Sequence, residues 1–486
     1  MKKLLFAAFL IAVSVSCFAQ VKFKVHIDTS IHKTFTGRLY VYTTTDTARG
    51  VPDQVNYKQP LFATQVANWQ ALQTIVLDDN AEAYSVKPSQ MKPGYYKAAA
   101  VIDADIDTRG TFNPGNAYSR KDILFYVNEK GETNVHININ SLIGQPRFKE
   151  SDTLKLINLK SDLLSSFHNK DVFLQASVVL PKEYLSNPET RFPVVYVIPG
   201  WGGSHLDVMG PNPRKRYGFD KGAPKIFVYL NSETQTRWGL HSFVDSRVNG
   251  PWGKALVEEL LPYIRKNFRG TESPEKTFVI GQSSGGYPSL WLFTAYPKAF
   301  GGGWAVSPDP VDFSSFIGTN IYAKNANIYT DEQGSERGFF LTNGRFESTI
   351  REWVKQEMFE VDGGQNQAFE AEFGKLDART GKPKLLFNRQ TGTVDPKVVE
   401  EWKMYDMGLW IEKNWKKYKK ELSGKIHVFA GADDNFYLNK SVEAFKLKAQ
   451  KAGADAVIEI IPGANHFNVW TSPGFIERMH KEMDGK

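Results

Sequence analysis

Cysteine is nearly absent, since Cys17 is the only one in 486 residues. A mature chain starting at Gln20 would have no disulfide, no thiol nucleophile and no cysteine metal site. Such a chain also avoids mispairing in an oxidising compartment. Hydrophobic runs of membrane-spanning length are missing as well, so no stable membrane insertion is expected.

Concentrated charge of one sign is also lacking. The formal net charge is +7 at pH 7, which is mild for this length, and no Lys/Arg cluster suggests nucleic acid binding. We therefore expect no nucleic acid partner. The chain is 41% hydrophobic and 23% charged, which indicates a globular protein with an ample core. Its length exceeds one ordinary domain and predicts two.

The first residues have the pattern of an export signal. Lys2 and Lys3 precede an apolar run at 4–13, and the small residue Ala19 follows Cys17 and Phe18. We expect a signal peptide over 1–19, cleaved after Ala19, and a periplasmic or secreted protein. Lipidation at Cys17 is the alternative, although Ser14 stands where a large aliphatic residue is usual.

Residues 20–150 are predicted to form an all-β sandwich domain. Apolar and polar residues alternate over 23–27, and β-rich runs follow at 39–42, 95–102 and 123–127. Turn signals separate these runs, as in antiparallel sandwiches. No catalytic constellation is present here. The domain is expected to bind glycan or shape the entrance to an active site, or else to act as a spacer.

The stretch Thr277–Ala295 carries the strongest chemical signal. The apolar run 278–280 predicts a buried strand, the pattern G-x-S-x-G follows at 281–285, and helical spacing comes next. Strand, sharp turn and helix are the context of a nucleophile elbow. Ser283 is therefore predicted to be a nucleophile.

A glycine-rich loop upstream is predicted to supply an oxyanion hole. The buried run 192–198 ends in Pro199-Gly200-Trp201-Gly202-Gly203. In folds with this elbow, one donor is the amide after the nucleophile and the other comes from such a loop. We assign these roles to the amides of Ser284 and Trp201. Gly202 is the alternative to Trp201 and a predicted substrate contact.

The partners of the serine are predicted downstream. A strand at 425–430 leads to Asp433 and Asp434, and the last strand, 457–461, leads to His466. Asp434 has the favoured spacing for the acid, and Asp433 is the alternative. The chain order Ser283, Asp434, His466 is that of α/β-hydrolases.

Two long connections complete the predicted catalytic domain, 151–486. Residues 231–253 are long for a loop without function, and their Trp238 and Trp252 are predicted to bind substrate. Residues from about 310 to 420 do not fit a short connection between a strand and a helix. They are predicted to be an insertion that forms a lid or cap.

The chain resembles the esterase family of α/β-hydrolases, which includes esterase D-like enzymes and feruloyl, acetyl-xylan and siderophore esterases. The resemblance covers about 153–308 and 421–470 and depends on FPVVYVIPGWGG, GQSSGG, AGADDNFYL and PGANHF. It looks closest to a branch with an N-terminal β domain. The resemblance implies an α/β-hydrolase fold with a mostly parallel central sheet, and serine hydrolase chemistry.

The sequence therefore predicts a secreted serine carboxylic ester hydrolase that acts through an acyl-enzyme. Its expected substrates are small-molecule or oligosaccharide esters, chiefly acetyl or feruloyl esters of carbohydrates. A trilactone siderophore and peptides are the alternatives, and a non-catalytic binding module of the same fold remains a further one. The mechanism requires no metal or organic cofactor. Nothing in the sequence indicates the oligomeric state.

Overall fold

A computed structural model describes residues 19–51, 59–105, 107–240, 243–361 and 364–486. The predicted signal peptide up to Phe18, with Cys17, lies outside the described residues. The chain divides into two compact units. One runs to Asp105 and includes Gly110–Gln145, and the other comprises Ile106–Arg109 and Pro146–Lys486. None of the helices described is long and apolar enough to cross a bilayer.

The N-terminal unit is built from strands. Their bounds are β1 Ala19–Ile27, β2 Phe35–Thr44, β3 Leu61–Trp69, β4 Thr74–Leu77, β5 Glu82–Tyr84, β6 Gly94–Asp103, β7 Ala117–Tyr118, β8 Ile123–Val127, β9 Gly131–Ile139 and β10 Ser141–Leu142. One sheet has the order β4-β1-β9, and a larger one has the order β10-β7-β6-β2-β3-β5 with β8 beside β6. Alternate residues of β1, namely Phe23, Val25 and Ile27, are buried in a hydrophobic cluster that both sheets share.

The second unit alternates strands and helices. Its strands are β11 Leu154–Lys160, β12 Phe173–Val179, β13 Val194–Ile198, β14 Ile226–Leu230, β15 Asp245–Ser246, β16 Gly250–Pro251, β17 Thr277–Gln282, β18 Gly302–Val306, β19 Gly338–Thr342, β20 Arg345–Thr349, β21 Ile426–Gly431 and β22 Val457–Ile461. Its helices are α1 Asp162–His168, α2 Glu183–Ser186, α3 Pro211–Tyr217, α4 Trp252–Ala255, α5 Leu261–Asn267, α6 Gly286–Ala295, α7 Ile350–Glu360, α8 Gln365–Phe373, α9 Pro396–Trp402, α10 Met407–Leu422, α11 Leu438–Ala452 and α12 Phe475–Asp484.

An eight-stranded sheet organises this unit, in the order β11-β12-β14-β13-β17-β18-β21-β22. β11 and β12 are antiparallel to their neighbours. The other strands of this sheet run parallel to one another: β14, β13, β17, β18, β21 and β22. Successive residues of β13 enter two different clusters: Val194, Tyr196 and Ile198 lie in one, Val195 and Val197 in the other. Because side chains alternate across a sheet, each cluster covers one face. The run at 192–198 is apolar throughout for this reason.

The apolar spacing of Leu256, Leu260 and Ile264 predicts a helix over 255–268. The structure starts it earlier, at α4, and continues it into α5 through a π-helical turn at Leu256–Leu260. Pro262 is the second residue of α5. A proline has no N–H to donate, so a continuous α-helix would leave a carbonyl without a partner here. The wider turn shifts the hydrogen-bond register just before the proline.

Between β18 and β21 the chain forms β19, β20 and α7 to α10. This is the region of the predicted insertion. Trp402 and Trp415 are fully buried within it, and Trp402 packs edge-on against Phe313, Phe316 and Phe373. The segment therefore builds much of its own aromatic core.

The carboxyl ends of the parallel strands meet at one edge of the sheet. Ile198 is in register with Gly281, Gln282 with Val306, Val306 with Phe429, and Gly431 with Ile461. The loops that follow these strands consequently emerge side by side, which is where open α/β sheets bind their ligands.

Candidate active site

Ser283 occupies the sharp turn between β17 and α6. Its φ is +57°, a left-handed conformation that non-glycine residues adopt rarely and at a cost. A 3-10 turn at Ser283–Gly285 then leads directly into α6. The predicted order of strand, strained serine and helix is therefore present. The N-terminus of α6 follows the serine at once, where free backbone N–H groups favour negative charge.

The two glycines that flank Ser283 are required by close backbone contacts. A Cβ atom at Gly281 would lie 2.1 Å from the Gly285 carbonyl oxygen, and one at Gly285 would lie 2.0 Å from the Ile198 carbonyl oxygen. Backbone atoms cannot move aside as the end of a flexible side chain can. The small residues of the G-x-S-x-G pattern are thus explained by the tightness of this turn.

Asp434 and His466 contact each other directly. Asp434 Oδ2 lies 2.9 Å from His466 Nδ1, and both residues are buried. Asp434 Oδ1 accepts hydrogen bonds from the backbone N–H groups of Phe436 (2.9 Å) and Leu438 (3.2 Å). These bonds fix the carboxylate, which leaves its second oxygen for the imidazole. Asp433, the alternative acid, is exposed to solvent.

Gln282, the residue before the serine, connects the elbow to the histidine loop. Its Nε2 donates to the His466 carbonyl oxygen at 2.8 Å. Its Oε1 accepts from Trp470 Nε1 at 3.0 Å and from Arg216 Nη1 at 3.3 Å. The variable second position of the pattern therefore holds the backbone of the histidine loop against the end of β17.

The loop after β13 is a tight turn. Gly203 N–H donates to the Gly200 carbonyl at 3.0 Å, and Gly202 has a φ of +79°. A positive φ at the third residue of a turn favours glycine. A Cβ atom at Gly200 would lie 3.3 Å from Ser283 Cβ, so glycine lets the loop approach the serine closely.

Trp201, at the tip of this turn, is covered by a cation. The Arg109 guanidinium lies 4.2 Å from the centre of a Trp201 ring, and Arg109 Nε donates to Glu233 Oε2 at 2.8 Å. Cation–π contacts of this kind stabilise the aromatic ring in one orientation. Residues 107–109 thus help to hold the loop beside Ser283.

Ser283 and His466 line one cavity of about 540 Å³, together with Gly200, Trp201 and Gly203. Its aromatic wall consists of Phe339, Trp353, Phe369, Phe436 and Phe467. Phe339 and Trp353 stack with ring centres 4.0 Å apart. Its polar groups include Asp207, Arg216, Asp309, Gln356 and Gln365. An apolar pocket with a few convergent polar groups is typical of ligand sites.

Asp309 is a cavity residue that no sequence pattern singled out. It is buried, and its backbone N–H donates to the Ser283 carbonyl at 3.0 Å. Burial raises the pKa of its carboxyl group to about 6, although the neighbouring Ser284 hydroxyl and His466 favour the charged form. Its position directly after a parallel strand beside β17 was the only available signal. No sequence signal marked the other polar residues of the cavity, namely Asp207, Arg216, Gln356 and Gln365.

The structure does not bring Trp238 and Trp252 to the cavity, which corrects their prediction as substrate contacts. Neither is among its lining residues. Trp238 packs in a small cluster with Val248 and Ala371. Trp252 starts α4, lies in the main core and donates from Nε1 to the Asn249 carbonyl at 2.8 Å. Gly202 is not a lining residue either. The long loop folds inward, so its tryptophans contribute to packing.

The family model described as "Putative esterase" matches residues 173–471, more than half of the chain. The chain belongs to this esterase family. This confirms the resemblance to the family, and with it the α/β-hydrolase fold and the assignment as a serine carboxylic ester hydrolase. No curated protein matches the sequence.

Solved structures to which the chain is similar include a ferulic acid esterase from Anaeromyces mucronatus in complex with ferulic acid. It is 15% identical, with a TM-score of 0.36, over 70% of this chain and 94% of that one. An S-formylglutathione hydrolase from Agrobacterium tumefaciens is 14% identical, with a TM-score of 0.39, over 68% and 94% of the two chains. An S-formylglutathione hydrolase from Staphylococcus aureus is 14% identical, with a TM-score of 0.39, over 68% of this chain and 99% of that one.

Proposed function

We propose that the esterase acts through Ser283, His466 and Asp434. His466 takes the proton of Ser283, whose oxygen attacks the ester carbonyl and forms an acyl-enzyme. Asp434 fixes the imidazole tautomer and stabilises the imidazolium. Water activated by His466 then releases the acid. The observation that carries this proposal is the 2.9 Å contact of Asp434 with His466, in the cavity that the strained Ser283 also lines.

The tetrahedral oxyanion is proposed to bind the amides of Trp201 and Ser284. Ser284 is the second residue of the turn that leads into α6, and Trp201 lies in the loop that approaches Ser283. Preorganised amides of this kind act on charge that develops only in the transition state. The contact of Arg109 with Trp201 supports a loop held in one orientation.

The substrate is proposed to be an acetyl or feruloyl ester of a carbohydrate. The stacked pair Phe339 and Trp353 and the rings of Phe369, Phe436 and Phe467 give the cavity a wide aromatic surface, which suits a planar aromatic acyl group. Glutamine side chains on α7 and α8, Gln356 and Gln365, provide donors and acceptors for hydroxyl groups. These observations favour the feruloyl ester over a trilactone or a peptide.

The rest of the chain is proposed to serve the same enzyme. The N-terminal unit is a β-sandwich accessory domain. The segment between β18 and β21 is a cap, since its residues Phe339, Trp353, Gln356, Gln365 and Phe369 line the cavity. Export to the periplasm or the medium, with cleavage after Ala19, gives access to polysaccharide fragments.

Ser283→Ala tests the assignment of the nucleophile. We expect turnover of p-nitrophenyl acetate to fall by about 10⁴-fold or more, and covalent labelling by a fluorophosphonate to be lost. Ser284→Ala is the matched control because it removes a neighbouring hydroxyl and keeps the backbone amide; it should still be labelled. Circular dichroism verifies that both variants are folded. Retained turnover in Ser283→Ala would eliminate the assignment.

The substrate class is tested by a panel with the same enzyme preparation. Methyl ferulate, an acetylated xylan oligosaccharide, a cyclic trilactone and a peptide anilide are compared by kcat/KM. The proposal expects the highest value for ferulate or acetylated xylan. A preference for the trilactone or the anilide would leave the serine mechanism intact and replace the substrate.

A further inference from the structure

Asp309 stands out among the buried ionisable groups of the catalytic unit because it faces the reacting serine. It follows β18, the strand next to β17, and its N–H bonds to the Ser283 carbonyl. The side chain is 4% exposed, and it lines the cavity with Ser283 and His466. A group at this position meets whatever ester is bound for attack.

The carboxyl group of Asp309 is incompletely satisfied. Its Oδ2 is buried and has no hydrogen-bond partner among the described residues. Among these residues, no Lys, Arg or His forms an ion pair with Asp309. Asp434 differs, because both of its oxygens are engaged. The side chains of Ser284 and Ser283 hydrogen-bond to this carboxyl group, but a buried carboxylate oxygen without a partner is costly unless a donor reaches it. Asp309 lines the cavity, so a bound substrate is the group that can bring such a donor to its carboxyl group.

A second carboxylate of the cavity shows the contrast. Asp207 Oδ2 accepts from the Ser204 N–H at 3.0 Å, and the positive charge of Arg216 acts on it. Asp207 is also exposed to solvent, so its carboxylate is hydrated, unlike that of the buried Asp309. Asp309 is the acidic group of the cavity that retains bonding capacity next to the nucleophile.

We propose that Asp309 determines specificity by binding a hydrogen-bond-donating substituent, hydroxyl or ammonium, close to the scissile carbonyl. The inference rests on the proposed role of Ser283. The carboxyl group of Asp309 neighbours the Ser283 hydroxyl, which attacks the carbonyl carbon, so a substituent on the adjacent carbon comes within its reach. A donor there restores the missing hydrogen bond, and an anionic substituent meets like charge.

Phenyl esters of four related acids test this preference: propanoate, 2-hydroxypropanoate, 2-aminopropanoate and hydrogen malonate. Values of kcat/KM are measured for the wild type and for Asp309→Asn, and each is divided by the propanoate value. The division removes any general loss of turnover, and comparison of the two proteins removes the intrinsic reactivity of each ester. In Asp309→Asn the hydroxy ratio should fall about 3-fold or more and the amino ratio about 10-fold or more. The malonate ratio should rise.

Two control variants locate the effect. Asp207→Asn makes the same chemical change in the same cavity and should leave all three ratios within about 2-fold. Asp434→Asn should lower kcat for every ester about equally, because it acts through His466. Unchanged ratios in Asp309→Asn would overturn the inference while ester hydrolysis continued. Absence of turnover and of fluorophosphonate labelling in the wild type would instead overturn the proposed function.

The wild type supplies a second readout, which holds even if the variant fails to fold. The amino-to-propanoate ratio should rise as pH increases from 4.5 to 7, through the pKa of about 6 of Asp309. Other titratable or charged groups at the cavity are His466, Asp207, Arg216, Tyr217 and Tyr229, with Asp434 behind His466. Burial raises the pKa of both tyrosines, so they stay neutral over this range. Protonation of His466 affects both esters and cancels in the ratio. A ratio that stays flat over this range contradicts the inference.

Discussion

His466 is held at several points besides its contact with Asp434. Its carbonyl oxygen accepts from Gln282 Nε2 at 2.8 Å, and its N–H donates to Asn435 Oδ1 at 3.3 Å. The ring of Phe436 lies edge-on to the imidazole, with centres 4.9 Å apart. A general base has to be positioned within fractions of an ångström of its proton. These backbone bonds therefore give the imidazole the fixed position that the proposed role of His466 requires.

Gln282→Leu should accordingly reduce catalysis without weakening binding. Leucine keeps a similar volume but cannot donate to the His466 carbonyl, so the loop loses its attachment to β17. We expect kcat for p-nitrophenyl acetate to fall about 10- to 100-fold, with KM within about 3-fold of the wild type. Trp470→Phe removes only one donor to Gln282 and should cause a smaller fall. A rise of KM at constant kcat would show that Gln282 acts on substrate binding instead.

Residues of the site were predictable where a local pattern accompanied them. Ser283 has its glycines, and Asp434 and His466 each follow an apolar run at the expected point in the chain. Asp309 follows such a run too, but a single carboxylate after a strand is also a common helix cap. Its meeting with Ser283 depends on which strands are neighbours, which is a long-range property of the sheet.

At the scale of elements, the elbow depends on two strands that approach each other at glycines. Gly285 packs against the Ile198 carbonyl at the end of β13, and Gly281 packs against the Gly285 carbonyl. The turn is therefore packed directly against the end of the neighbouring strand β13. Strain at Ser283 persists because the packed sheet over-determines its conformation.

Gly281→Ala tests this packing. The added methyl group would meet the Gly285 carbonyl at 2.1 Å, and relief requires Gly285 to move away from the end of β17. We expect a loss of about 3 kcal/mol or more in the free energy of unfolding, measured in urea. Gly144→Ala serves as the matched control, since a Cβ atom there has no atom within 4 Å. Equal stability of the two variants would mean that the elbow is not tightly packed.

Elements marked by a regular hydrophobic pattern were predictable from the sequence, and irregular elements were not. The buried strands β13, β17 and β21 coincide with apolar runs in the sequence. The π-helical turn before Pro262 was not foreseen, because no periodic signal marks a local change of hydrogen-bond register. Trp238 and Trp252 were misjudged for a similar reason. Whether a loop tryptophan faces a cavity or a core depends on how the loop folds back.

On the scale of the whole molecule, hydrophobic clusters follow the two units. One hydrophobic cluster consists of residues between Val21 and Ile139. Two other clusters, which cover the two faces of the eight-stranded sheet, consist of residues from Leu154 onward. The length of the chain predicted two domains, and the β-rich runs before residue 150 predicted a separate β domain. What the N-terminal unit does was not predictable, because a sandwich core has the same alternating pattern whatever its surface binds.

Separate cores predict separate responses to core mutations. Phe62 is fully buried in the N-terminal cluster, 5.1 Å from the Phe23 ring centre, and Leu260 is fully buried in the catalytic unit. Truncation of such residues to alanine costs about 2–5 kcal/mol. In scanning calorimetry we expect Phe62→Ala and Leu260→Ala to lower the temperatures of different transitions. Phe62→Ala should keep its esterase activity at 25 °C, since the residues of the cavity belong to the other core. If both variants shift one common transition equally, the two units unfold as a single cooperative structure and the prediction is wrong.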